Sequence, residues 1–270
     1  MKDQKTEISL QPCEKLIDGR KYLIAADTFT GLVRSRNEDN YAYAWDPSGK
    51  YLLAVVADGI GSTRNGDLAS DSVVRMLIHA WQNWELPARN LRHAVKKFLY
   101  DTICRINTEL FRINAVTAGG YERDSLGTTV TAAVFAPGWA IAANAGDSPM
   151  FQIRGQDVRQ ITFDHNLTNE MIRLGQMRPA EAAALAQGRM LTRFIGPKDS
   201  VDPECYSVLI RPGDFYILCS DGLTLHVHPS EIRRIVNTEK DLASALKLMF
   251  RKTYLAGAYD NATAILVKAL

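Results

Sequence analysis

Three apolar runs that meet a carboxylate at one end restrict this chain more than anything else in it. Leu52-Leu53-Ala54-Val55-Val56-Ala57 closes on Asp58-Gly59-Ile60-Gly61. Phe215-Tyr216-Ile217-Leu218-Cys219 closes on Ser220-Asp221-Gly222, and the run 262–267 opens after Asp260-Asn261. Runs of this length and composition predict buried strands. An ionised group at the lip of a core needs a partner, and glycine lets the backbone turn sharply beside it. A single Asp-Gly is an ordinary tight turn, and Asp214 after Gly213 is read that way. Three acids at the ends of three very apolar strands ask for more than turns. Converging carboxylates keep their charge only around a cation, and an all-oxygen donor set favours Mg2+ or Mn2+ over zinc or copper. Asp58, Asp221 and Asp260 are therefore the candidate metal ligands, and Gly59, lacking a side chain, can bring its own carbonyl to a second ion. Two such ions about 3.5–4 Å apart can hold a bridging water and aim it at phosphorus.

The other elements set the architecture. Strand patterns fall at Tyr22–Phe29, 41–45 and 51–57, the last two joined by the turn Asp46-Pro47-Ser48-Gly49. More follow at 128–135 and 139–143 around Pro137-Gly138, and at 150–153. Residues 206–210 and 215–219 read as a hairpin around Arg211-Pro212-Gly213-Asp214. Helical spacing appears at Val74, Leu77, Ile78 and Trp81, and again from Leu91 through Ile106 and Leu110 to Ile113. It returns at Leu242, Leu246, Met249 and Phe250, while 166–188 reads as short helices in a surface excursion. Strands come in hairpins and helices in pairs, unlike a doubly wound parallel sheet. The pattern predicts an α+β domain of antiparallel sheets with helices on the outer faces. Residues 1–20 read as an N-terminal arm and 21–270 as one domain.

Composition removes several classes of function. The 270 residues carry a net charge of only +2, which argues against nucleic acid as a partner. No window approaches the ~18 apolar residues of a membrane span, and the N-terminus lacks the apolar core of a secretion signal. Cys13, Cys104, Cys205 and Cys219 show no metal-binding spacing and read as free thiols in a reducing compartment, with cytoplasm the expected location.

The substrate's anion also needs a partner. Arg34 in GLVRSRNED can hold two phosphate oxygens, and nearby Glu38 and Asp39 can accept hydrogen bonds from ion-bound waters. A nucleotide phosphate loop at Gly59-x-Gly61 is rejected, because no third glycine falls at the required spacing and no Gly-Lys-Ser/Thr follows. His226 and His228 have no third ligand and read as surface or loop histidines. Ser220 has no identifiable base that would make it a nucleophile.

GLVRSRNEDN, VVADGIGS, SLGTTVTA, NAGDSP, ITFDHN, MLTRFIG, ILCSDGLT and DNATAILV occur in the order found in metal-dependent serine/threonine protein phosphatases of type 2C. The chain resembles that family, in its short bacterial form, over nearly its whole length. The resemblance implies a β-sandwich of two antiparallel sheets flanked by helix pairs, a four-layer α-β-β-α fold. It implies two Mn2+ or Mg2+ ions, with Asp58 bridging them, Gly59 bound through its carbonyl, and Asp221 and Asp260 completing one ion. Arg34 matches the phosphate-binding arginine, Glu38 and Asp39 the acids that hold ion-bound waters, and Asp147 an acid of a third ion in some members. The implied reaction is hydrolysis of phosphoserine and phosphothreonine in proteins by a hydroxide held between the ions, on substrates of a serine/threonine kinase. The chain departs from the pattern in four places: Pro149 where arginine is frequent, Leu225 where an acid is common, Ile60 where some members carry a histidine, and a lid at 168–189 without the usual His-Pro and Asn. Leu225 weakens the case for a third ion, and Ile60 leaves an ion-bound water to protonate the leaving alkoxide. The alternative is a catalytically silent regulatory or phosphopeptide-binding module, which predicts lost ligand acids.

Overall fold

The computed structural model describes residues 22–60, 65–117, 125–182 and 187–270. The N-terminal arm therefore lies outside the described residues, as do Cys13 and part of the lid. Ten strands form two antiparallel five-stranded sheets among the described residues. One sheet runs β1 (Tyr22–Phe29), β10 (Ala262–Ala269), β9 (Phe215–Cys219), β6 (Met150–Arg154) and β7 (Asp157–Gln160). The other runs β2 (Asp39–Trp45), β3 (Leu52–Asp58), β4 (Val130–Ala136), β5 (Trp139–Ala145) and β8 (Glu204–Leu209).

The unbroken apolar run of β3 follows from its two covered faces. Leu52, Ala54 and Val56 point into the sandwich with Ile265, Val267, Leu218, Tyr216 and Phe135. Leu53, Val55 and Ala57 point outward beneath α1 (Gly66–Gln82) and α2 (Leu91–Thr117), against Val73, Leu77, Trp81, Leu99 and Ile103. A strand buried on both sides has no polar face to alternate with. The opposite sheet is covered by α6 (Pro229–Thr238) and α7 (Leu242–Leu255), whose Ile232, Ile235, Leu246, Met249 and Phe250 pack on Ile217, Cys219 and Leu266. These are the four layers the sequence predicts.

The hairpin expected at 206–219 does not form. β8 pairs with β5, Trp139 opposite Leu209, whereas β9 inserts between β6 and β10. The turn at 211–214 instead carries the chain from one sheet to the other. Asp214, expected to be a plain turn residue, is buried there. It accepts hydrogen bonds from Arg154 Nε and Nη2, both at 2.7 Å, from Arg211 N at 2.9 Å and from Tyr216 Oη at 3.0 Å. Strand character differs accordingly: β9 is wholly buried and central, β8 mostly part-exposed at an edge.

Two further expectations shift. Ile113 is exposed, and the face of α2 nearest the loops carries buried Asn107 and Asn114 instead. Asn114 bonds Leu126 N and O and Gly196 O, and Asn107 bonds Gly196 N and Lys198 O. His228 begins α6: its imidazole accepts from Ser230 N at 3.3 Å, with Pro229 in the first turn. Helix α5 (Asp221–Thr224) is a single turn directly after β9, and the surface excursion holds α3 (Leu167–Arg173) and α4 (Pro179–Ala182). Cys104, Cys205 and Cys219 are free thiols, and no described helix is long and apolar enough to cross a membrane.

Replacing Asp214 by alanine leaves Arg154 and Tyr216 without their shared acceptor. We expect a loss of roughly 2–4 kcal/mol, read as a lower urea midpoint with an unchanged m-value. An unshifted midpoint would show that the crossing turn holds without its carboxylate.

Candidate active site

β3 delivers Asp58 to one end of the sandwich, and antiparallel pairing brings the other acids to the same end. Asp39, at the start of β2, is in register with Asp58. Asp260 precedes β10, whose first residues lie beside the end of β9, Ala264 opposite Cys219, so Asp260 and Asp221 share an edge. Asp147 precedes β6, whose Met150 pairs with Leu218 near the end of β9.

Neutral hydrogen bonds fix these positions. The Asp58 backbone N–H donates to Thr129 Oγ1 at 3.0 Å, and its carbonyl accepts from Thr129 N at 2.8 Å and Thr128 Oγ1 at 2.9 Å. The Thr129 and Ser148 hydroxyls lie 2.7 Å apart. Asn144 Nδ2 donates to Gly146 O at 3.0 Å and to Phe163 O at 2.8 Å, which ties the Asp147 and Asp164 loops to the same layer. Ser220 Oγ donates to Asp39 Oδ2 at 2.7 Å and accepts from Thr263 N at 3.0 Å, linking the two sheets.

Asn261 clamps the loop that carries the cation. Its Oδ1 accepts from Glu38 N at 2.9 Å, and its Nδ2 donates to Thr30 O at 2.7 Å and Arg36 O at 2.9 Å. Arg34, held on that loop, places Nη2 2.8 Å from Asp260 Oδ2. Both side chains remain about one-third exposed, 38% and 31%. The glycines after Asp58 and Asp221 are places of close approach. A Cβ at Gly59 would stand 2.3 Å from Gly66 O and 2.5 Å from Glu38 O, and one at Gly222 would stand 1.9 Å from Asn261 O. No side chain fits at either position.

The cluster is short of positive charge. Burial, then the charges of Asp39, Asp221, Asp147 and Asp260, holds the Asp58 carboxyl well above the usual range. Burial and neighbouring Asp221 and Asp164 raise Asp147 to about 8. Burial and Asp260 raise Asp221 to about 6, against the opposing pull of Arg189 and Arg34. Asp39 is pushed to about 6, chiefly by burial, and its Oδ1 is buried without a hydrogen-bond partner. Burial also raises Glu38. An orphaned buried carboxylate oxygen within an all-oxygen, electron-rich set fits a hard divalent cation. Among the described residues, no three His, Cys, Asp or Glu side chains converge as a ready-made cage. Ions held here would draw on water and backbone oxygen as well, which suits Mg2+ and Mn2+.

Two participants escape sequence reasoning. Asp164 is raised to about 7 by burial and by Asp221, and its place in ITFDHN was its only signal. Arg189 acts electrostatically on both Asp147 and Asp221, and nothing in its surroundings along the chain marks it.

Solved structures share this arrangement of layers. The serine/threonine phosphatase of S. agalactiae superposes with a TM-score of 0.84 at 27% identity, covering 92% of this chain and all of that one. The catalytic domain of the serine/threonine protein phosphatase PstP, in complex with two manganese ions, superposes with a TM-score of 0.75 at 25% identity, covering 92% and 98%. At sequence level, the serine/threonine phosphatase Stp of Listeria innocua is 31% identical over 241 residues, 89% of this chain and 93% of the relative. The protein phosphatase PhpP of Streptococcus pneumoniae is 33% identical over 240 residues, 89% and 94%. The family model for protein phosphatase 2C matches residues 33–270. The chain belongs to the protein phosphatase 2C family.

The charge shortage predicts a pH signature in the metal-free protein. A carboxyl raised on folding contributes stability at low pH that is lost as pH rises through its folded value. His165, lowered by burial to about 4 from 6.5, has the opposite effect, confined to pH below its unfolded value. Above pH 6.5, Asp58, Asp147 and Asp164 therefore dominate. The melting temperature of chelated protein should fall between about pH 6.5 and 8.5, and saturating Mn2+ should abolish the fall. A flat metal-free profile would mean the carboxylates are not forced together.

Proposed function

We propose that this protein phosphatase removes phosphate from phosphoserine and phosphothreonine in proteins, with residues 21–270 acting as one catalytic unit and two Mn2+ or Mg2+ ions bound at the carboxylate edge. The observation that carries the reading is the gathering of Asp58, Asp221, Asp260, Asp39 and Asp147 at one end of the sandwich, with Arg34 across it. In this reading Asp58 bridges the ions, the Gly59 carbonyl binds one, and Asp221 and Asp260 complete the other. Glu38 and Asp39 accept hydrogen bonds from water in the site, and Asp147 is the acid available to a third ion. When bound, the ions supply Lewis-acid activation of water and neutralise charge on the phosphoryl group.

The chain's own residues supply binding and orientation. Arg34 exchanges the Asp260 carboxylate for phosphoryl oxygens as substrate enters. A part-exposed ion pair of this kind is worth only about 0–1 kcal/mol, so the exchange is easy. Held by Asn261, the guanidinium meets charge as it develops on the equatorial oxygens. The leaving seryl or threonyl alkoxide needs a proton. Ile60, which follows Gly59, has none to give, and water in the site is the donor we assign. A serine/threonine kinase supplies the substrates, and the three free thiols suit a cytoplasmic setting. The silent-module alternative requires missing acids, and Asp58, Asp221 and Asp260 are all present.

Hydrolysis of p-nitrophenyl phosphate and of a phosphothreonine peptide should require Mn2+ or Mg2+. Asp58→Asn should lower kcat by at least ~100-fold, and Arg34→Ala should lower kcat/KM roughly 10- to 100-fold. Wild-type protein without metal-dependent turnover on either substrate would refute the reading.

A further inference from the structure

The rim beside Arg34 is apolar and exposed. Leu32 and Val33 stand immediately before the arginine, and Val33 is 66% exposed. Tyr259 stands immediately before Asp260 and is 64% exposed. Tyr254 and Leu255, at the end of α7, are also exposed. These segments form one surface. Leu32 N donates to Ala258 O at 2.9 Å, and a Cβ at Gly31 would lie 2.4 Å from Asp260 O. The Tyr259 ring covers Gly257 and stands 5.3 Å from the His226 ring, while Tyr254 stands 6.3 Å from Phe29. Contiguous apolar side chains at a rim mark a contact surface rather than scattered exposure.

Resting on the phosphatase reading above, we propose that Leu32, Val33 and Tyr259 form a subsite that selects phosphoprotein substrates carrying a large aliphatic or aromatic residue next to, or one position removed from, the phosphoresidue. Continuity with the reaction centre identifies the occupant. Val33 is bonded to Arg34, and Tyr259 to Asp260, whose carboxylate Arg34 holds. A substrate chain advances only ~3.3–3.6 Å per residue, so a segment whose phosphate meets Arg34 lays its flanking residues across this rim. The Tyr259 ring and the Val33 methyls offer such a residue apolar area. The ions and the guanidinium recognise the phosphoryl group alone. Selectivity among phosphoproteins is therefore supplied by the rim, and these are its specificity-determining residues.

The test uses two phosphothreonine peptides that differ only in bearing leucine or serine at the two positions on each side of the phosphoresidue, with p-nitrophenyl phosphate as a substrate that cannot reach the rim. The proteins are wild type, Tyr259→Ser, Tyr259→Phe and Val33→Thr. Wild type should favour the leucine peptide by roughly five- to tenfold in kcat/KM, through KM, as expected for partial burial of one large apolar side chain. Tyr259→Ser and Val33→Thr should each lose much of that preference, and Tyr259→Phe should keep it. Turnover of p-nitrophenyl phosphate should be unchanged in all four. Equal rates on the two peptides in wild type, or an undiminished preference in Tyr259→Ser, would overturn the subsite. Concentration-dependent dimerisation of wild type that Tyr259→Ser abolishes, with peptide preference unchanged, would assign the surface to a second copy of this chain and overturn it too. Absence of metal-dependent p-nitrophenyl phosphate turnover in wild type would instead strike the phosphatase reading itself.

Discussion

Repulsion among carboxylates confined to one end of a sandwich is the constraint the rest of this structure answers to. Left free, Asp58, Asp39, Asp221 and Asp147 would separate into water. Their strands do not allow it. β3 is buried on both faces, β9 likewise, and β6 and β10 are pinned beside β9 by ladder hydrogen bonds. Antiparallel pairing then follows a simple rule: where one strand ends, its neighbour begins. Asp58 at a strand end meets Asp39 at a strand start, and Asp221 beyond a strand end meets Asp260 and Asp147 before strand starts. Apolar burial spread over whole sheets sustains a local electrostatic cost, and a cation can collect on it.

The groups under the cluster are neutral, and that matters for precision. Thr129, Ser148, Asn144 and Ser220 are all essentially buried and hydrogen-bonded. Charged partners at these positions would neutralise the acids and compete with an incoming ion. Hydroxyls and amides hold the backbone and the second oxygen of Asp39 without doing so. A buried network with every member satisfied is rigid, so the acids keep their spacing whether or not a cation is present.

How much of this was readable depended on where the information resides. Asp58, Asp221 and Asp260 stood out because a carboxylate interrupting an apolar run is a local contradiction. The helix pair over β3 was readable from its spacing. Arg34 and Glu38 lie in a loop dense with charge, and motif resemblance, not local pattern, singled them out. The crossing at 211–214 was misread because two adjacent runs flanking a Pro-Gly turn look like a hairpin. Which sheet each strand joins is decided by partners up to some 70 residues away, such as β5 for β8. Asn107, Asn114 and Asn261 were invisible for a related reason. An asparagine that clamps distant backbone has the same local appearance as one in a surface turn. Asp164 and Arg189 belong to the site through space alone.

The clamp at Asn261 also bears on how recognition and chemistry are joined. Its three hydrogen bonds reach Thr30, Arg36 and Glu38, so one side chain spans the loop that carries Leu32, Val33 and Arg34. Asp260, its neighbour, takes the Arg34 ion pair, and Tyr259 follows one residue further back. Rim, guanidinium and candidate ligand thus hang from the first residues of one central strand. A flanking residue that settles on the rim presses on the same short loop that aims the guanidinium. Binding energy gained away from phosphorus can therefore be spent on orientation at phosphorus, which raises turnover as well as affinity. A phosphatase whose ions recognise only the group common to all its substrates has few other ways to let sequence influence rate.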